Sequence, residues 1–183
     1  MSLKPVLLLA LLSILGGCSI LQASNPAQRL PLSTPEALPC CWQSVERVRA
    51  LNPDSERDFT VVVASTEGKL TVVVLDILGR RLVTIIHDGG ELRTLEAPAR
   101  WPAALSRQLL VSIYLHHLTP QQRQLESPDW VIRADDTHKS LIYRGREQVR
   151  LDYLSDSSSF DRVLTYSGRD IRLHIRTLSR TTL

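Results

Sequence analysis

The chain has few aromatic residues, few cysteines and little net charge. Aromatic residues make up 5% of its 183 residues, it contains three cysteines and one methionine, and its formal net charge is only +3. A charge this mild, spread along the chain, does not favour nucleic acid as a partner. The N-terminal apolar run is also well short of the roughly 20 residues that a membrane-spanning helix requires.

What the chain does have is a distinctive N-terminus. Lys4 gives a weakly positive start, residues 6–15 are almost wholly apolar, and Gly16-Gly17-Cys18 follows. This arrangement is typical of a cleaved signal peptide. The run Leu15-Gly16-Gly17-Cys18 resembles the lipobox of bacterial lipoprotein precursors, in which the peptidase cuts before a lipidated cysteine. An ordinary secretory signal that happens to contain a cysteine is the alternative.

The lipobox resemblance implies a mature chain that begins at Cys18 and carries diacylglycerol and an amide-linked acyl chain. Two or more chains make anchoring stable. Ser19, rather than aspartate, implies the outer membrane, with the protein on its periplasmic face. We predict a signal peptide at residues 1–17, a lipidated cysteine and flexible Ser/Pro/Ala-rich tether at 18–39, and one folded domain at 40–183.

Cys40 and Cys41 are adjacent at the start of that domain. Neighbouring cysteines form a disulfide only within a strained ring, and no nearby ligands complete a metal site. We expect one or both to be small buried residues at the start of a strand, with a redox or intermolecular role as the alternative.

Most of the remaining sequence predicts short antiparallel strands. β-Branched runs joined by glycine turns are typical of hairpins. The pattern predicts about ten strands, at 42–49, 59–65, 69–75, 81–87, 91–96, 130–134, 140–144, 148–154, 160–166 and 170–178.

The segment 102–118 is the exception and predicts a helix, because Pro102 suits a first helical position and apolar residues follow. A second helical segment is expected to start near Thr119-Pro120. The helix is apolar almost all round, as are the strands at 61–63 and 72–75 on both faces. A mainly β fold with a strongly curved sheet, plugged on its concave side by the helix, accounts for both. A plain sandwich with a helix packed on it is the alternative.

Four segments together carry a family resemblance. They are Cys41-Trp42-Gln43, the run 75–82 with Ile77-Leu78-Gly79 at its centre, the apolar helix from Pro102, and the basic-apolar last strand. Across residues 41–178 the chain resembles a bacterial lipoprotein family of uncharacterised function often encoded in aryl-polyene gene clusters. That family is in turn similar to LolB, the outer-membrane receptor that takes lipoproteins from the periplasmic carrier LolA.

The resemblance implies an unclosed antiparallel β-barrel, lidded by helices, whose interior holds acyl chains. Leu78 matches the leucine of the Pro-Leu-Gly loop that passes cargo into the membrane, although Ile77 replaces the proline. A leucine packed at a strand end is the alternative. Arg80 and Arg81 could then lie at lipid phosphates. We expect the cavity and its lid to be lined by Val61, Val63, Val72, Val74, Leu109, Ile113 and Tyr114.

Nothing in the sequence assembles into a catalytic site, so we expect no enzyme activity, no cofactor and no metal. His116 and His117 are adjacent on the predicted helix, where side chains diverge by about 100°. No phosphate-binding loop or nucleophile elbow is present. The C-terminal arginines, such as Arg172 and Arg176, predict a solvated sheet face, or else a docking surface for an acidic carrier or anionic lipid.

The sequence therefore predicts an outer-membrane lipoprotein that takes an acyl or polyene chain from a LolA-like periplasmic carrier. It would deliver that lipid or lipoprotein cargo to the membrane. The alternative is a scaffold or pilot lipoprotein of an envelope complex, with a filled core. The carrier hypothesis requires more apolar surface inside the sheet than the protein's own side chains can fill.

Overall fold

The computed structural model describes residues 30–98, 101, 103–118, 125, 128–155, 159–167 and 170–183. The predicted signal peptide, Cys18 and the predicted helical restart at 119–122 lie outside the described residues. Within them, no helix is both long and apolar enough to cross a bilayer.

Ten strands form one antiparallel sheet that is curved and does not close. They are β1 (Trp42–Asn52), β2 (Ser55–Thr66), β3 (Lys69–Leu75), β4 (Arg81–Asp88), β5 (Glu91–Leu95), β6 (Trp130–Ala134), β7 (His138–Tyr143), β8 (Arg146–Tyr153), β9 (Arg162–Tyr166) and β10 (Ile171–Thr182). Their spatial order is β5-β4-β3-β2-β1-β10-β9-β8-β7-β6. Strands β5 and β6 are therefore the two edges of the sheet. Strand β10 joins the two halves by pairing with β1 and β9.

The predicted ten-stranded, unclosed β fold is confirmed, and the sandwich alternative is wrong because the described strands belong to a single sheet. Strands β1, β2 and β10 are longer than predicted. Their extra residues include charged ones such as Glu56 and Arg57, which hid the strand pattern. The turn between β1 and β2 is held by the Asn52 side chain, which accepts hydrogen bonds from the Asp54 amide and the Ser55 hydroxyl.

One face of the sheet is buried along nearly its whole width. Alternate residues point to opposite faces of a strand, and in β3 and β4 every second residue is buried. The buried set continues across β1, β2, β8, β9 and β10 into one apolar core. Helix α1 (Ala103–His117) packs in this core. The predicted arrangement of a curved sheet with a helical plug is therefore correct.

A segment before β1 also belongs to the core. Residues 30–38, here called the N-terminal strap, fall inside the region that the sequence predicts to be a tether. Leu30, Leu32 and Leu38 are nevertheless buried, and Pro35–Ala37 forms a short 3₁₀ helix. Full burial of one leucine contributes about 1.5–3 kcal/mol. The packed part of the chain therefore includes the strap.

A buried ion pair lies beneath the join between the two halves of the sheet. The Arg162 guanidinium on β9 donates to a Glu46 carboxylate oxygen on β1 at 2.5 Å, and also to the Thr177 hydroxyl on β10 at 3.0 Å. The two charged side chains are only 5% and 8% exposed. Three adjacent strands are thus tied together from the concave side.

Removing one member of this pair is expected to destabilise the fold strongly. A Glu46→Gln substitution leaves the buried Arg162 charge with only the half-exposed Asp161 carboxylate, 3.9 Å away, so we expect a loss toward the roughly 3–5 kcal/mol of a broken buried pair. Glu96→Gln is the matched control, since Glu96 pairs with Arg81 at 2.8 Å but both side chains are more than half exposed. Such surface pairs contribute roughly 0–1 kcal/mol. Urea unfolding followed by tryptophan fluorescence measures both, and equal losses would contradict a structural role for the buried pair.

Candidate functional site

Helix α1 is held in the hollow of the sheet by hydrogen bonds to strands from both halves. The Tyr114 hydroxyl lies 2.7 Å from His87 Nδ1 on β4. On the other side, the Tyr166 hydroxyl on β9 donates to the Gln108 carbonyl at 2.6 Å. Burial raises the pKa of Tyr166 far above its ordinary value, so this hydroxyl keeps its proton and remains a donor. The helix therefore bridges the two halves of the open sheet.

The residues predicted to line a cavity all lie in the core. Val61, Val63, Val72 and Val74 are buried on the concave face, and Leu109, Ile113 and Tyr114 are buried on α1. They pack as parts of one continuous core, in which the helix fills the space that the sequence analysis left for a ligand. Of these seven residues, only Tyr114 lines the small hollow described next.

That hollow lies between α1, the strap and strands β6 and β7. Its volume is about 10 Å³, and it is lined almost wholly by apolar side chains. Such a volume holds about one water molecule. An acyl chain therefore requires α1 or the strap to move before it can enter.

Some groups at the seat of α1 are polar and poorly matched. Among the described residues, the buried Gln108 amide nitrogen on the helix has no hydrogen-bond partner, and neither has the buried Ser44 hydroxyl on β1. An unsatisfied buried polar group costs about 1–3 kcal/mol. The packing of the helix in this position is thus less favourable than that of a purely apolar interface.

A second feature is an apolar tip at the turn between β3 and β4. Ile77 is 79% exposed and Leu78 is 72% exposed, the two highest values among the large exposed hydrophobic residues. The alternative of a leucine packed at a strand end does not fit this exposure. Among the described residues, both side chains therefore lie mostly in solvent.

The tip is exposed but well organised. The Asp76 carboxylate accepts hydrogen bonds from the Leu78 and Arg80 amides, both at 2.9 Å, and pairs with the Arg80 guanidinium at 2.7 Å. These bonds, that of the Arg80 amide first, hold the pKa of Asp76 below its usual value. Gly79 supplies the positive φ of 76° that closes the turn. Arg80, paired with Asp76, and Arg81, paired with Glu96, are both more than half exposed beside these two apolar side chains.

A third feature is a polar cluster at the C-terminal end of α1. The His116 and His117 rings lie 4.6 Å apart, so the expectation that they diverge is wrong. The His117 ring stacks on Trp42 at 4.3 Å, and His116 Nδ1 lies 3.4 Å from the Tyr153 hydroxyl. The Lys139 ammonium donates to the His116 carbonyl at 2.7 Å and to the Leu118 carbonyl at 2.9 Å. A cation thus caps the helix end, where the macrodipole favours it.

Both histidines are neutral in the folded protein. Burial, followed by the nearby Arg162 charge, lowers the pKa of His116 to about 2. Burial, followed by the Arg180 charge, lowers the pKa of His117 to about 3. The described residues contain no group of three or more His, Cys, Asp or Glu side chains that could hold a metal ion.

The state of the two N-terminal cysteines of the domain also differs from expectation. Cys40 and Cys41 are joined by a disulfide, and neither is buried. The prediction of small buried residues is wrong, because the chain leaves the core after Leu38 and re-enters it only at Trp42.

The lowered histidine pKa values predict that the fold loses stability as the pH falls. Unfolded histidines bind protons below about pH 6.5, whereas the folded ones do not until about pH 3 or 2. The folded state therefore has its full stability above pH 6.5. At pH 5 each histidine lowers the free energy of unfolding by about 2 kcal/mol relative to that value. Urea unfolding at pH 8 and pH 5 measures the loss. A His116→Gln/His117→Gln variant should lose correspondingly less, and an unchanged pH dependence would contradict this assignment.

Comparison with known proteins gives a match within the folded domain and none at the predicted signal peptide or Cys18. No curated protein matches the chain significantly. A family profile described as "Protein of unknown function (DUF3261)" matches residues 43–179, which is well over half of the chain and covers all ten strands in whole or in part. The chain therefore belongs to the DUF3261 family of proteins of unknown function.

Proposed function

We propose that this protein is a lipoprotein of the bacterial outer membrane that carries an acyl or polyene chain and passes lipid or lipoprotein cargo into the bilayer. Cys18 bears the lipid anchor and holds the domain on the periplasmic face. A LolA-like soluble carrier supplies the cargo, as the resemblance to LolB implies. No chemical step is required, because the apolar interior shields the chain only until the membrane accepts it.

The single observation that supports this function best is the apolar tip. Burying an exposed leucine in an apolar phase is worth about 1.5–3 kcal/mol, so leaving two large apolar side chains in water on an ordered turn is costly unless something receives them. Arg80 and Arg81 lie beside the tip, where each is paired with a carboxylate, Asp76 and Glu96, so the insertion energy comes from the apolar side chains. The tip has the chemistry of a membrane-inserting loop.

The interior supports the carrier role through its composition. A concave wall of valines and isoleucines is covered by one helix that is buried around its whole circumference from Gln108 to Leu115. Displacing that helix would uncover a continuous apolar trough. The unpartnered Gln108 amide and Ser44 hydroxyl lower the free-energy cost of displacing the helix, because water can then reach them.

The anchor is tested first. In cells fed a clickable palmitate analogue, the wild-type protein should become labelled and fractionate with the outer membrane. A Cys18→Ala variant should remain unlabelled, because the thioether-linked diacylglycerol has no attachment site. Equal labelling of both proteins would refute lipidation at this residue.

Transfer is tested with the full chain purified from membranes and reconstituted into acceptor vesicles. Donor vesicles carry a phospholipid with a self-quenching fluorophore on one acyl chain, and dequenching reports transfer. We expect wild-type protein to exceed the protein-free rate. An Ile77→Ser/Leu78→Ser variant should transfer roughly tenfold more slowly or worse, since it loses the apolar insertion energy. Leu178→Ser is the matched control, as Leu178 is 53% exposed on β10 rather than at the tip.

The outcomes separate two functions. If folded wild-type protein transfers no faster than empty vesicles, lipid carriage is refuted. A scaffold or pilot lipoprotein then becomes the better explanation, and the observation that favours it is the filled interior. If the Ile77→Ser/Leu78→Ser variant transfers as fast as the wild type, the tip has no role in delivery.

A further inference from the structure

The N-terminal strap makes contacts that a flexible linker does not make. The Arg107 guanidinium on α1 donates to the Leu30 carbonyl. Pro31 and Ser33 face Val111 and Leu115 of the helix across the small hollow. Farther along, the Ser65 hydroxyl on β2 donates to the Pro39 carbonyl at 3.2 Å. The strap therefore runs from the helix to the β2–β3 hairpin.

These contacts place the strap over one stripe of α1. Arg107, Val111, Leu115 and Leu118 follow one another at helical spacings of three or four residues, so they share a face. Three of them line the hollow beside the strap, and the fourth binds its Leu30 carbonyl. Ser106 faces β5 instead, since the Thr94 hydroxyl lies 3.1 Å from its own hydroxyl. The strap thus covers a face of the helix that the sheet leaves uncovered.

The cleft beneath the strap continues onto the far half of the sheet. Ile132 on β6 and Leu141 on β7 line the same hollow and are buried. Strands β6 and β7 lie at the opposite end of the sheet from β2 and β3. The strap segment that carries the buried Leu30 and Leu32 therefore already lies against this hollow, which its Pro31 and Ser33 line.

We propose that this cleft, formed by α1, β6 and β7, is the acyl-chain site, and that the N-terminal strap occupies it as a built-in competitor. The inference rests on the carrier function proposed above and deepens it by locating the site and its regulation. A linear hydrocarbon chain fits the chemistry, because the lining is apolar and the segment now seated there is itself extended and leucine-bearing. Cargo enters as the strap withdraws, and the strap returns when cargo leaves.

The strap is directly connected to the proposed lipid anchor by residues 19–29 of the chain. A force between the anchored Cys18 and the domain therefore acts on the strap first, because the strap precedes every strand in the chain. Site closure and membrane attachment are coupled through one covalent segment. The measurable consequence is that weakening the strap raises occupancy of the cleft.

The test uses the full chain purified from membranes, in phosphatidylcholine nanodiscs, with a diazirine-bearing palmitate as probe. After photolysis, mass spectrometry locates the labelled residues. A Leu30→Ser/Leu32→Ser variant should show roughly tenfold more labelling than wild type on α1, β6 and β7, because the competitor binds less tightly. Arg107→Gln, which removes the bond to the Leu30 carbonyl but keeps both leucines, should produce a smaller rise. Leu178→Ser is the control, and tryptophan fluorescence verifies folding of each protein.

Failure of this inference is distinguishable from failure of the carrier function. Equal labelling of the cleft in wild-type and strap variants would show that the strap does not compete. Labelling confined to the wall around Val61 and Val72 would place the chain elsewhere and overturn the site assignment, while carriage stands. Interior residues that stay unlabelled in every folded variant would overturn both the cleft and the carrier function.

Discussion

An apolar helix that must be enclosed on all sides is the constraint on which this fold depends. From Gln108 to Leu115, every residue of α1 is buried. A single sheet can cover only part of a helix, even when the sheet is strongly curved. The remaining cover comes from residues 30–38, which lie before the first strand. The sheet, helix and strap are thus one cooperative unit, and removing the strap would expose the helix to water.

The buried charges fit the same scheme. Arg162 and Glu46 satisfy each other at the join of the two half-sheets, beneath the end of α1 where His116 and His117 lie. Desolvated charges are tolerated only when they are paired and hydrogen-bonded. The cluster is therefore a fixed polar point at one end of an otherwise apolar interior. Lys139 ties the helix terminus to β7 at that point.

Much of the fold was predictable from local patterns. Alternating β-branched runs such as 69–75 located the strands, and glycine turns located the hairpins. The uniformly apolar segment after Pro102 identified the plugging helix. Strand ends with charged residues, such as Glu56 and Arg57, were missed because they do not alternate with apolar residues. Their pairing with β1 is fixed by the tight turn at Asn52 instead. The exposure of Leu78 was foreseen only through family resemblance, since sequence alone does not separate a packed strand end from a bare tip.

The strap and the ion pair were beyond sequence reasoning for different reasons. Residues 30–38 contain two prolines, a serine and a threonine, a composition typical of linkers. Their burial follows from contact with a helix face 77 residues away. Glu46 and Arg162 are separated by 116 residues and meet only through sheet order. Both features depend on long-range topology. The small hollow has the same origin, because its lining comes from the strap, α1 with Leu118, Leu125, β6 and β7.

The position at which the strap begins sets a geometric limit. Twelve peptide units separate Cys18 from Leu30, and a fully extended chain covers about 3.3–3.6 Å per residue, or roughly 40 Å in all. Under the lipid anchor proposed at Cys18, the start of the strap therefore stays within that distance of the bilayer. The proposed function then requires that a soluble carrier bring the cargo to the domain, because the anchored domain cannot leave the membrane to collect it.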